Sequence, residues 1–150
     1  MTDLELKTWL AQLGYPAAAI DDACRATVAN AMTPLMQAAR LGQAAMVHAL
    51  LKRGADTTAR NADGNGALWF ACFADCEVCV AALIVAGAPL DNQNVNGATA
   101  LIYCASAGKT RMVELLLQAG ADPTCKTLDD YTALDSASTR ACLALLRKAA

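Results

Sequence analysis

Residues 50–68 read LLKRGADTTARNADGNGAL, residues 83–101 read LIVAGAPLDNQNVNGATAL, and residues 116–134 read LLQAGADPTCKTLDDYTAL. Laid on one another without a gap, the three stretches keep Gly54, Gly87 and Gly120 in register, each followed by an alanine. They also share a closing leucine, at Leu68, Leu101 and Leu134, and Leu35 stands one step earlier. Several independent landmarks on one step of about 33 residues make an internal repeat. A repeat of that length is one supersecondary unit, and it buries its apolar face only against its neighbours.

The unit reads as two short helices and a polar loop. Thr33-Pro34-Leu35, Thr99-Ala100-Leu101 and Thr132-Ala133-Leu134 each offer a hydroxyl N-cap, and Pro34 suits a first helical position. The first helix, PLMQAARLG in its first copy, ends at Gly42, Asp75 or Gly108, and Asp tolerates the left-handed backbone such a turn needs. The second helix, TRMVELLLQAG in its third copy, sets Met112, Val113, Leu116 and Leu117 on one face and stops at a glycine C-cap. A loop rich in Asn, Asp and Gly then leads to the next opening.

This pattern resembles the ankyrin repeat, with its TPLH-x-A opening and GAD ending. The residues that carry the resemblance are TPLMQAARLG with LLKRGAD, GALWFACFAD with LIVAGAP, ATALIYCASAG with LLLQAGAD, and a shortened YTALDSAS with LALLRKA. It implies an all-α fold, a solenoid of stacked helix-turn-helix units with projecting hairpin loops, in a single domain. The expected divisions are a helical cap at 1–31, repeats at 32–64, 65–97 and 98–130, and a shortened capping repeat at 131–150. One departure is consistent. The family's histidine after the leucine is replaced by Met36, Trp69, Ile102 and Asp135, so its loop-locking hydrogen bonds do not carry over.

The first thirty residues do not match the repeat. Leu6, Trp9, Leu10 and Leu13 form a helical stripe behind a Thr2 or Asp3 cap. Gly14 ends that helix and Pro16 begins a second, AAAIDDACRATVA, expected to carry Ile20, Cys24 and Val28 on one side. Such a pair reads as an N-terminal cap, its inner face covering the first repeat.

Twelve basic against fourteen acidic residues leave a net charge of −2, without the basic footprint of a nucleic-acid binder. A hydrophobic content of 56% reflects abundant alanine, and the uncharged run from Val78 to Leu90 is too short to span a bilayer. The opening MTDLELKTWL is acidic and amphipathic, unlike a signal peptide. Neither nucleic acid nor membrane is expected as a partner, and the expected location is cytoplasmic.

Residues 72–79, CFADCEVC, place three of the seven cysteines at C-x-x-x-C-x-x-C, the spacing that holds a [4Fe–4S] cluster in radical enzymes of the S-adenosylmethionine type. The repeat register offers a plainer reading. Cys72 falls where the neighbouring copies have Ala39 and Ala105, and Cys79 where they have Met46 and Met112, both packing slots. Cys76 falls in the turn, with Gln43 and Lys109 as counterparts, and is expected at the surface. The expectation is free thiols, with no cofactor and no metal. The alternative is a thiol-based redox or metal or Fe–S sensor using Cys72, Cys76 and Cys79, with Cys104 as the one nearby fourth ligand. The single histidine, His48, has no carboxylate or nucleophile at helical spacing and is expected at the surface.

No enzyme is expected. The resemblance implies a non-catalytic protein-protein interaction module, an adaptor, inhibitor or immunity-type binder, that is monomeric when unbound. It grips a partner protein with its hairpin tips and first helices. By register the partner-binding residues are Arg40, Asp63, Asn65, Trp69, Phe70, Phe73, Asn96, Tyr103, Ser106, Asp129 and Tyr131, centred on the second and third repeats. Both phenylalanines of the chain, Phe70 and Phe73, sit in one helix beside Trp69. The register turns Phe73 to the groove, whereas Trp69 fits either the groove or the space between repeats.

Overall fold

Residues 1–16 and 19–149 are described by the structure, a computed structural model. Among them are ten α-helices: α1 (Asp3–Gln12), α2 (Ile20–Arg25), α3 (Pro34–Arg40), α4 (Ala44–Lys52), α5 (Ala67–Phe73), α6 (Glu77–Val85), α7 (Ala100–Ser106), α8 (Thr110–Gln118), α9 (Ala133–Ser136) and α10 (Arg140–Ala149). The chain divides into two compact units, Met1–Ala88 and Pro89–Ala150. In the first, α3 packs on α5 and α4 on α6; in the second, α7 packs on α9 and α8 on α10. No helix among the described residues is long and apolar enough to cross a membrane.

The threonine openings act as caps. Thr33, Thr99 and Thr132 accept the backbone N–H of Met36, Ile102 and Asp135, each at 3.2 Å, and satisfy a donor that the helix start leaves open. Asp135 returns the bond to the Thr132 N–H at 3.0 Å. The turn after each first helix passes through a left-handed residue, Gly42 (φ 66°), Asp75 (φ 54°) or Gly108 (φ 70°), as the register predicts. Each second helix stops in a Schellman motif: Gly54, Gly87 and Gly120 are left-handed, and Ala55, Ala88 and Ala121 donate to Leu50, Leu83 and Leu116. The cores follow the same step. Val47, Leu50, Val80 and Leu83 are wholly buried in the first unit, and Val113 and Leu116 in the second. Leu134, on the four-residue α9, is only half-buried.

The tips repeat as faithfully as the helices. The N–H of Asn61, Asn94 and Thr127 donates to the carbonyl of Asn65, Ala98 and Tyr131, at 2.9, 3.0 and 2.9 Å. Val28 does the same to Met32 at 3.0 Å, through left-handed Asn30 and Ala31. A turn of the repeat type therefore closes in the segment before residue 32, one step ahead of the tip at 61–65. Ala62 donates its N–H to the Asn30 carbonyl at 3.0 Å, and the Asn30 side chain donates to Asp63 at 3.0 Å.

That turn also corrects the N-terminal reading. The second helix is shorter than AAAIDDACRATVA: Ala17 and Ala18 lie outside the described residues, α2 ends at Arg25, and Ala26 is already extended. Val28 is not on a helix at all. It is β-branched, suits extended backbone, and bridges to Met32. Ala23 is the buried member of α2, with Ile20 and Cys24 half-buried. The first helix keeps the expected cap and most of its stripe, with Thr2 and Glu5 forming a reciprocal capping box and Leu6, Trp9 and Leu10 buried, while Leu13, expected on the same stripe, is the half-buried C-cap. Trp9 donates to the Gln43 side chain, and Arg53 pairs with Asp3 and Asp21.

Candidate functional site

α5 has an inner side of Leu68, Ala71 and Cys72, all buried, and an outer side that carries Trp69 and Phe73 one turn apart. These two rings stack, with centroids 5.7 Å apart and planes 13° from parallel, and Trp69 meets Phe70 edge-on at 5.1 Å. Together with the tip at 61–65 they bound a depression of about 330 Å³ in the first unit. Its wall is aromatic, while Arg40 and Asp63 bring one cation and one anion to it. The Arg40 side chain donates to Gln37 at 3.2 Å and is exposed. The Asp63 carboxylate accepts from Asn30. An aromatic wall with a charge of each sign suits a peptide surface that offers an apolar anchor and hydrogen-bonding groups around it.

Six of the expected binding residues, Arg40, Asp63, Asn65, Trp69, Phe70 and Phe73, line this one depression. They do not share one role. Phe73 is 48% exposed and Trp69 is half-buried, which places both rings partly in the core and partly at the surface. Phe70, expected to line the surface with Phe73, is only 7% exposed, because it leads the helix's inner side rather than its outer one. Asn65 is likewise buried, and its N–H donates to the Asn61 carboxamide oxygen at 3.0 Å. It braces the tip instead of projecting from it.

In the second unit, Asn96 and Asp129 are exposed on two tips, and the Asn96 carbonyl accepts the Leu128 N–H at 3.0 Å. Tyr131 (56% exposed) and Leu128 stand at the surface of the second of these tips. Tyr103 is half-buried on α7, with the Lys109 ammonium 5.9 Å from its ring centroid. Ser106 is exposed, and its hydroxyl donates to the Tyr103 carbonyl at 2.9 Å.

The tips carry side-chain locks that the sequence reading missed. The Asn61 carboxamide oxygen accepts the N–H of Asp63 and Asn65, and that of Asn94 accepts the N–H of Asn96 and Ala98. At the third tip the Thr127 hydroxyl accepts from Tyr131 at 3.2 Å. The signal was present, since Asn61, Asn94 and Thr127 fall on the repeat step.

Also missed was the apolar surface of the second helices in the first unit. α6, EVCVAALIV, has no charge after Glu77 and exposes Val78 (56%) and Val85 (88%). These valines, with His48, Leu51 and Lys52 of α4, border a shallow depression of about 660 Å³. His48 is exposed there, as its position on α4 predicts.

Cys72 and Cys79 are wholly buried, as the register predicts. Cys76 is half-buried rather than free at the surface, because its side chain turns inward toward Gly42 and Cys79. Among the described residues, no three histidine, cysteine or carboxylate side chains converge on a point that could hold a metal.

The family described as ankyrin repeats (three copies) matches this chain in three overlapping spans, residues 6–91, 35–127 and 68–149. The first span reaches back over α2 into α1, and so includes the turn at 28–32 that keeps the repeat's hydrogen bond. No curated protein matches the chain.

Proposed function

This chain belongs to the ankyrin-repeat family, and from that premise we propose that it is a non-catalytic module gripping a partner protein with its hairpin tips and first helices. Ankyrin repeats are in general protein–protein interaction modules and typically lack catalysis. Phe73 carries the reading. A phenylalanine ring that is 48% exposed, stacked on Trp69 and flanked by Arg40 and Asp63, is a poor use of apolar surface in water and a good anchor for a partner. Arg40, Asp63, Trp69 and Phe73 would make the contacts in the first unit, with Phe70 and Asn65 supporting them. Asn96, Tyr103, Ser106, Asp129 and Tyr131 would do so in the second. The reading includes a monomeric, cytoplasmic chain; an odd number of cysteines, seven, suits a compartment without structural disulfides.

A second reading places the partner on the opposite helices of the first unit, and the exposure of Val78 and Val85 favours it. Capture from the native host separates the two. The protein retained by the wild type should be lost with Phe73→Ala and kept with Val85→Glu and Glu114→Ala. Its affinity should fall about thirtyfold, close to 2 kcal/mol, across an interface of roughly 800 Å² on this chain. Loss with Val85→Glu and retention with Phe73→Ala would transfer the site to α4 and α6.

A further inference from the structure

Cys76 and Cys79 stand apart from the other cysteines in a way that the binding reading does not use. Cys76 is the N-cap of α6 and Cys79 its third helical residue, so one turn brings the two side chains to the same corner. Their sulfurs are 2.7 Å apart, and the Cys79 N–H donates to the Cys76 sulfur at 3.3 Å. The N-cap backbone is extended (φ −91°, ψ 94°), which aims the Cys76 side chain back over the first turn instead of away from it. Only a fraction of an ångström separates this arrangement from the ~2.05 Å of a disulfide. No third cysteine, histidine or carboxylate among the described residues converges on them, Cys72 of α5 included.

We propose that Cys76 and Cys79 are a reversible dithiol–disulfide site, oxidised by a low-molecular-weight disulfide of the glutathione class. Exposure divides the roles. Cys79 has no contact with solvent, so the incoming disulfide meets Cys76 first. The Cys76 thiolate attacks one sulfur of the reagent; its S–S bond breaks, a mixed disulfide forms at Cys76, and one small thiol leaves. Cys79 then attacks the Cys76 sulfur, the mixed disulfide breaks, and the second small thiol leaves. The two protons of Cys76 and Cys79 end on the two departing thiols, and the protein loses two electrons to the reagent. Burial and the neighbouring Cys76 push the Cys79 thiol up to about 12, so it is the protonated partner of the pair and gives its proton to the departing small thiolate as it attacks. Cys125 is the contrasting case. It is half-buried on the loop after α8, where burial first and then Asp122 and Asp91 raise its pKa, and no other cysteine shares that loop. The proposal is independent of partner binding, and either can fail alone.

Glu77 lies between the two cysteines, which supplies a direct test. The full chain is equilibrated with oxidised glutathione, its remaining thiols are blocked, and the unfolded protein is cut after glutamate. The fragment ending at Glu77 should remain joined to the one beginning at Val78 until a dithiol reductant is added. Cys72→Ser and Cys104→Ser should keep the link, whereas Cys76→Ser should abolish it. Serine is itself a good N-cap, so that variant is expected to fold. Cys79→Ala removes the link through the other sulfur and guards against a folding defect in the first variant. A link that survives Cys76→Ser or Cys79→Ala would overturn the proposal. So would a wild type whose fragments separate although Cys125 has taken up glutathione, because the oxidant would then have acted and passed the pair by.

Discussion

Asn61 and Asn65 close the first unit's tip on each other twice. The Asn61 N–H donates to the Asn65 carbonyl at 2.9 Å, and the Asn61 carboxamide oxygen accepts the Asn65 N–H at 3.0 Å. The same oxygen takes the Asp63 N–H at 3.1 Å, so one side-chain atom satisfies two donors of a turn whose ends are buried. Asn94 does this for its own tip at 3.0 and 3.0 Å, while Thr127 accepts one bond at 3.2 Å. Removing a partner from a buried donor costs about 1 kcal/mol or more. Asn61→Ala should therefore destabilise by about 2 kcal/mol, Asn94→Ala by somewhat less because it is less buried, and Thr127→Ala by about 1 kcal/mol. Urea denaturation of the three variants reads the order. Negligible costs at all three positions would mean that the backbone bonds alone hold the tips.

Those tips mark where the sequence was transparent and where it was opaque. The helix ends were legible because each depends on one residue type at one place: a threonine for an open donor, or a glycine for a left-handed cap. Asp75 fitted the same logic, and its φ of 54° matches its glycine counterparts. The turn at 28–32 was not legible. Its residues, VANAM, put Val28 where the next two tips have Asn61 and Asn94, and Ala31 where they have Gly64 and Gly97, and the turn is tied to Ala62 and Asp63, far along the chain. Within α5, spacing alone separated Phe73 from the core but could not separate Phe70, whose exposure depends on how neighbouring elements pack on the helix. The apolar outer side of α6 was written in EVCVAALIV, but exposed and buried valines look alike in a short helix with no charge after its first residue.

Two left-handed glycines separate backbone strain from crowding. Gly87 (φ 83°) ends α6 with no atom within 4 Å of where a Cβ would stand. Gly97 (φ 76°) would place a Cβ 2.9 Å from the Leu128 nitrogen. Gly87→Ala should cost about 1 kcal/mol from the conformation alone, and Gly87→Val more. Gly97→Ala should cost at least about 1 kcal/mol beyond that, since backbone cannot yield as a side chain can. Ala86→Ser, exposed and one residue earlier, should be nearly silent. Thermal unfolding of the set settles the matter, and a silent Gly87→Val would refute the assigned helix end.

Alkaline pH should destabilise the folded chain through Tyr15. Its hydroxyl donates to the Met32 carbonyl at 2.9 Å in a buried position, and burial pushes the phenol up to about 12. In the unfolded chain it titrates near ~10. The folded state thus holds the proton more tightly. This contribution is whole below about pH 10 and declines as pH rises through 12. Cys79 is raised in the same sense and begins to act at lower pH, but it is present in both proteins if wild type is compared with Tyr15→Phe. Between pH 10 and 12 the wild type should lose more stability than the variant. Parallel curves would place the phenol in water.

Phe70 and Phe73 give the sharpest separation of core from surface, because they share a helix, a residue type and a depression while being 7% and 48% exposed. Phe70→Ala leaves a cavity among buried neighbours and should destabilise by about 3 kcal/mol or more. Phe73→Ala removes a ring that is half in water, with the Trp69 stack as its main loss, and should cost about 1 kcal/mol. Val85→Glu, at 88% exposure, should stay within about 0.5 kcal/mol. The stability order then qualifies any binding result. A partner lost with Phe70→Ala says little, because the whole of α5 is disturbed. The same partner lost with Phe73→Ala, in a protein that still unfolds cooperatively near the wild-type midpoint, assigns the contact to the exposed ring. Should Phe73→Ala destabilise as much as Phe70→Ala, its ring belongs to the core, and the outer side of α5 is no longer the anchor of the binding face.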